Sequence, residues 1–211
     1  MDFNGIGTSY SAYETKNISA KSTNDKKADS TDKSSEKSVY SEISASYEPY
    51  SSTSKVTSAT DRKAIIAQLK SDTEQRMAQM QSLVTKMFAK QGITIGTADD
   101  MWKALANGNF TADADTIAQA KEDISEDGYW GVNQTSDRLI DFAVALSGGD
   151  EENMKKMVSA VEKGFKEATK SWGKDLPSIS NDTYSATMKK FDQWFSDNGY
   201  STKTSDILGN N

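Results

Sequence analysis

The sequence predicts an all-α protein: an irregular bundle of about six helices preceded by a disordered N-terminal tail. Three observations predict it. Beyond residue 60, apolar residues recur at helical spacing between cap and stop signals, and no run competes convincingly as a strand. The large side chains are segregated, since Trp102, Trp130, Trp172, Trp194 and six of the seven phenylalanines lie beyond that point. Residues 1–60, by contrast, are roughly one-third Ser and Thr with scattered Lys and Asp. So little apolar surface cannot offset the chain entropy lost on ordering. The expected organisation is a tail over 1–60, a helical domain over 61–199 and a flexible C-terminus over 200–211.

The first helix is read from "DRKAIIAQLKSDTEQRMAQMQSLVTKMFAKQG", where Ile65, Ile66, Leu69, Met77, Met80, Val84 and Met87 form one stripe. Thr73 is its weak point, and Gly92 stops it. "TADDMWKALANG" opens on a Thr97–Asp100 capping box and closes at Gly108. In "ADADTIAQAKEDISEDG" the spacing turns Ile117, Ala120 and Ile124 inward, with a stop at Gly128. "SDRLIDFAVALSGG" buries Leu139, Phe142, Ala143 and Leu146, with Thr135 and Ser136 as first-turn caps. "ENMKKMVSAVEKGFKEATKSWG" carries the cleanest stripe, from Met154 through Phe165 and Ala168 to Trp172. After Pro177, "SNDTYSATMKKFDQWFSDNG" is capped by Ser180, stopped by Gly199, and turns Tyr184, Met188, Phe191 and Phe195 inward. Short connections between these helices imply antiparallel neighbours.

Composition excludes several kinds of chemistry. The chain has no Cys and no His, which removes disulfides, thiol nucleophiles, imidazole acid–base catalysis and the commonest zinc and haem ligands. The net charge of −6 is spread without a basic stripe, so nucleic acid and anionic membrane are poor partners. No apolar run reaches transmembrane length. "MDFNGIGTSYSAYETK" lacks the basic start and apolar stretch of a general secretory signal, so the expectation is a cytoplasmic protein or export by another route.

The segment 123–134 holds the candidate site. Asp123, Ser125 and Asp127 alternate, Gly128 follows, and Gln134 is twelfth in line, a spacing that resembles a calcium-binding EF-hand loop. Gln134 stands where such a loop has a bidentate Glu, and Trp130 where it has an aliphatic residue. Glu122, Asp123, Glu126 and Asp127 also crowd a helix C-terminus, where negative charge opposes the dipole and a cation would relieve it. The alternative is a solvated acidic turn without metal. Tyr129 and Trp130, between Gly128 and Gly131, are read as a plug turned into the corner between two helices, or else as part of a partner or ligand pocket. Arg138 is placed to pair with Asp141 or with the acids of the turn. The Met77, Met80 and Met87 face, and that of Met154 and Met157, are core or an adaptable groove. In the tail, "SVYSEISASYEPY" alternates in a way that could add a strand to a partner, or is a spacer. Ser171 and Lys174, like Ser34 and Lys37, match Ser-x-x-Lys without the companion motifs that would make it catalytic.

The block "DGYWGVNQTSDRLIDFAVALSGGD", followed by "KGFKEATKSWGKDLPSIS", resembles a bacterial all-helical domain family of unknown function, seen in small proteins of Gram-positive anaerobes. The resemblance spans residues 60 to 197, and "FNGIGTSYSAY" and "SYEPYSSTSK" also resemble that family. It implies a helical body behind a low-complexity start, and the type of tail suggests a setting near flagellar or other cell-surface machinery. The family is similar to a wider group labelled a hydrogenase component, a label at odds with the lack of Cys and His here. The family brings no catalytic residues to carry over. The functional expectation is a non-enzymatic helical module that binds a protein partner, the alternative being a calcium-binding or weakly enzymatic protein using the acidic loop.

Overall fold

A computed structural model describes residues 58–209, all of them within one unit of the fold. The readings of residues 1–57, including the disordered tail and the possible added strand, lie outside the described residues. Among those described there are seven helices and no strand. They are α1 (Ala59–Ala89), α2 (Ala98–Asn107), α3 (Ala114–Asp123), α4 (Val132–Ser147), α5 (Glu151–Trp172), α6 (Ser178–Asp197) and α7 (Thr204–Leu208).

The cap signals explain most boundaries. Ser58, Thr97, Asp113 and Asp150 each accept a hydrogen bond from the backbone N–H three residues on, satisfying an amide that has no partner inside the helix. Thr97 and Asp100 form the full reciprocal capping box. Two boundaries differ from the sequence reading. Helix α4 starts at Val132, four residues before Ser136, so Thr135 and Ser136 lie within the helix rather than capping it. Fully buried Ser136 donates back to the carbonyls of Val132 and Asn133. Helix α6 starts at Ser178 behind Pro177 with no side-chain cap, so Ser180 is already helical. A pre-set φ makes proline a natural helix entry.

The core lies between α4, α5 and α6. Ile140, Ala143, Met154, Val158, Met188, Phe191, Trp194 and Phe195 form one buried cluster, edged by Val144, Met157, Val161 and Tyr184. Trp194 meets Phe195 edge-on at 5.3 Å, and Tyr200 stacks on Trp194 at 6.0 Å. Beyond Gly199 the chain does not run free as the sequence suggested. It returns as α7, whose Ile207 and Leu208 pack on the cluster and whose Thr204 amide donates to Asp192. The far half of α5 leaves the core: past Val161 none of its residues is buried, and Ala168 is exposed.

The remaining helices are attached with less apolar burial. The 31-residue α1 runs against α4 but buries only Ile65 and Phe88. Met77, Met80 and Met87 are half-buried, neither core nor open groove, whereas Met154 is fully buried in the cluster. Phe88 meets Phe110 edge-on at 5.5 Å. The Gln91 side chain accepts from the Thr111 amide and donates to the Thr111 carbonyl, clipping the C-terminus of α1 to the segment that leads into α3. α2 lies on α5, and Lys174 donates to the Ala106 carbonyl at the C-terminal end of α2. Ser171 is half-buried, and its Ser-x-x-Lys partner Lys174 is the donor of that bond.

Helix α3 is turned over relative to the sequence reading. Its half-buried residues are the polar Thr116, Gln119 and Asp123. Ala120 is exposed, and Ile117 and Ile124 retain 44% and 50% of their surface. Leu146 on α4, also expected inside, is 41% exposed. Periodicity located the apolar face of α3 correctly, but it cannot state which face meets the protein.

Candidate functional site

The corner between α3 and α4 is built from its own hydrogen bonds. The last carbonyls of α3 have no intrahelical partner, and the turn supplies them. The Ile124 amide donates to Ala120, the Ser125 amide and hydroxyl both donate to Glu122, and the Trp130 amide donates to Asp123. Gly128 and Gly131 are needed here for close approach, not for a left-handed backbone. A Cβ on Gly128 would lie 2.3 Å from the Glu122 carbonyl oxygen, and one on Gly131 2.0 Å from that of Ser125. These glycines let the turn pack against the helix end.

Tyr129 leaves this turn toward α1. Its hydroxyl donates to the Asp72 carboxylate at 2.5 Å. Its ring is held between two guanidiniums, Arg138 at 3.7 Å and Arg76 at 4.2 Å from the centroid. Trp130 meets it edge-on at 4.8 Å. Arg138, 8% exposed, donates to the Tyr129 carbonyl at 2.7 Å and to the Thr135 hydroxyl at 3.2 Å. Arg76 stands 3.7 Å from Asp72 along α1. Burial foremost, then the hydrogen bond to Asp72, pushes the Tyr129 hydroxyl up from 10.0 to about 12, so the phenol holds its proton. The cluster joins α1, the turn and α4 through one ring.

Sequence reasoning read Tyr129 and Trp130 as one plug and gave Arg138 to Asp141 or the acids of the turn; the structure sets the Arg138 guanidinium over the Tyr129 ring. It missed Asp72 and Arg76, which lie more than fifty residues away. The available signal was the break at Thr73 in the apolar stripe of α1, since that polar turn of the helix receives Tyr129.

The four positions read as a calcium loop are not arranged as a ligand shell. Asp123 accepts from Gln119 at 2.9 Å, and the Ser125 hydroxyl is turned back on Glu122. Asp127 is exposed, and the Gln134 Oε1 is buried without a hydrogen-bond partner among the described residues. Among the described residues no group of three His, Cys, Asp or Glu side chains is placed to hold a metal ion. These are the bonds of a self-capped helix end, and they leave a cation no common centre on which Asp123 and Ser125 converge.

A serine–lysine pair appears elsewhere. The Lys190 ammonium on α6 donates to the Ser136 hydroxyl at 2.8 Å, to the Asn133 carbonyl at 3.2 Å and to Asp137 at 2.5 Å. Fully buried, Ser136 offers no nucleophile to a substrate, and the ammonium has spent its three donors. The pair locks α6 to the first turns of α4.

No protein-family model matches the chain, and neither a curated protein nor a solved structure matches it. The class that fold and site define is an all-α bundle with a tightly cross-linked aromatic corner. Among the described residues no helix is long and apolar enough to cross a membrane.

Proposed function

We propose that the chain is a non-enzymatic helical protein-interaction module, with α3 as the face it offers to a protein partner. One observation carries this reading. Along α3 and its C-cap the half-buried side chains are polar Thr116, Gln119 and Asp123, while Ile117, Ala120 and Ile124 are exposed. An amphipathic helix normally buries its apolar stripe, and an exposed one marks a surface where another molecule docks. The chemistry-bearing groups support the same reading, because Tyr129, Arg138 and Lys190 hold helices to one another. The Ser/Thr-rich type of tail suggests a setting at flagellar or other cell-surface machinery.

The test is site-specific photo-crosslinking in the native cell. A benzophenone side chain at exposed Ala120 should give one discrete adduct with a second protein. The same group at exposed Ala168 on α5 should not give that adduct. An adduct common to both positions, or none at Ala120, contradicts the reading.

A further inference from the structure

We propose that the α3 face takes an amphipathic helix whose apolar stripe is flanked by Lys and Arg, supplied by a different protein. This rests on the interaction reading and adds the chemistry of the partner.

The argument is charge complementarity around a small apolar strip. Residues 113–127 hold six acids, Asp113, Asp115, Glu122, Asp123, Glu126 and Asp127, against Lys121 alone, a net charge of −5 out of −6 for the whole chain. All but Asp123 are exposed, on the helix that exposes the two isoleucines or in the turn that follows it. Lys90 lies near enough to Asp113 to act on it, and it offsets charge only at the N-terminal end. At the C-terminal end Glu122, Glu126 and Asp127 sit where the helix dipole is itself negative, so each costs stability until a cation approaches. The field is therefore strongest beside Ile124.

The other occupants fit less well. A second copy would set −5 against −5, and like charge across an interface is a strong penalty. A ten-residue helix is about 15 Å long. Two isoleucines and neighbouring alanines on it make a strip the size of one docked helix, short of the roughly 1,200–2,000 Å² expected of a stable dimer interface. Residues 1–57 carry seven Lys against eight Asp and Glu, so they bring the face no net positive charge. A separate helix with basic residues matches both the apolar strip and the acids of the turn beyond its C-terminal end, and it binds as amphipathic helices do, through residues spaced i, i+3, i+4 and i+7.

The experiment uses the full chain and three labelled synthetic helices read by fluorescence anisotropy. One has a Leu stripe with Lys flanks, one the same stripe with Glu flanks, and one Lys flanks with a Ser stripe. The Lys-flanked Leu helix should bind at least tenfold tighter than either of the others. Ile117→Ser with Ile124→Ser should weaken it at least tenfold, and Glu122→Gln with Glu126→Gln and Asp127→Asn several-fold, with a flatter dependence on salt. These positions are exposed, and circular dichroism should show all variants folded. Equal binding of the Glu-flanked helix would overturn the basic partner and leave the interaction reading standing. Binding that ignores the isoleucine substitutions, or equal binding of the Ser-stripe helix, would overturn both. Concentration-dependent dimerisation abolished by the same substitutions would assign the face to a second copy instead.

Discussion

α6 buries six of its twenty residues, among them Phe191, Trp194 and Phe195, while α3 buries none of its ten. The two helices are held by different forces. α6 is fixed by apolar area, each large side chain worth about 1.5–3 kcal/mol on burial. α3 is fixed at its ends: the Gln91–Thr111 clip precedes it, and the self-capped turn and Tyr129 follow it. A helix held this way keeps its apolar face for something else. An isolated helix shorter than about 12 residues is marginal in water, so α3 exists because its two ends are anchored.

The largest effect expected from breaking this comparison is in the core. Phe191→Ala should cost about 3–5 kcal/mol, as cavity formation at a fully buried ring does, read as a lower urea midpoint. Next comes the turn. Gly131→Ala puts a methyl group into the Ser125 carbonyl and should cost about 2–3 kcal/mol, since the backbone must shift to admit it. A value near zero would show that the corner is loose.

Tyr129→Phe keeps the ring between the two guanidiniums and removes only the hydrogen bond to Asp72, for about 1–2 kcal/mol. Its pH signature is specific. The folded phenol ionises near pH 12, above its unfolded value of 10.0, so the neutral form contributes fully below pH 10. That contribution falls away as pH rises from 10 to about 12, and chemical denaturation across this range should show a slope that Tyr129→Phe reduces. The smallest effect belongs to the outer face of α3, where Ile117→Ser and Ile124→Ser together should change stability by no more than about 0.5 kcal/mol.

The same contrast explains what the sequence disclosed. Helices whose apolar stripe meets the core were legible: Met154 and Val158 on α5, and Met188, Phe191 and Phe195 on α6, lie where the period put them. α3 misled, because the period marks an apolar face and assumes that it points inward. The five-residue α7 is too short to show a period at all. In the site, Tyr129, Trp130 and Arg138 were legible as near neighbours in sequence. Asp72 and Arg76 were not, because a contact across 57 residues leaves only a polar gap in a stripe. The need for Gly128 and Gly131 was not legible as crowding, since close approach of carbonyl oxygens to a missing Cβ leaves no mark in the sequence.

Native-state hydrogen exchange followed by mass spectrometry tests most directly the claim that α3 is anchored only at its ends. Helices with a buried face should exchange through global unfolding, and weakly buried segments through smaller openings. The account predicts that amides of α4 and α6 are protected to the limit set by global stability. Those of α3 should exchange at least a hundredfold faster, and Tyr129→Phe should speed α6 only by the factor set by the global stability it loses, about 1–2 kcal/mol. Protection of α3 equal to that of α6 in the full chain would contradict it, and would mean that the outward face of α3 is already covered.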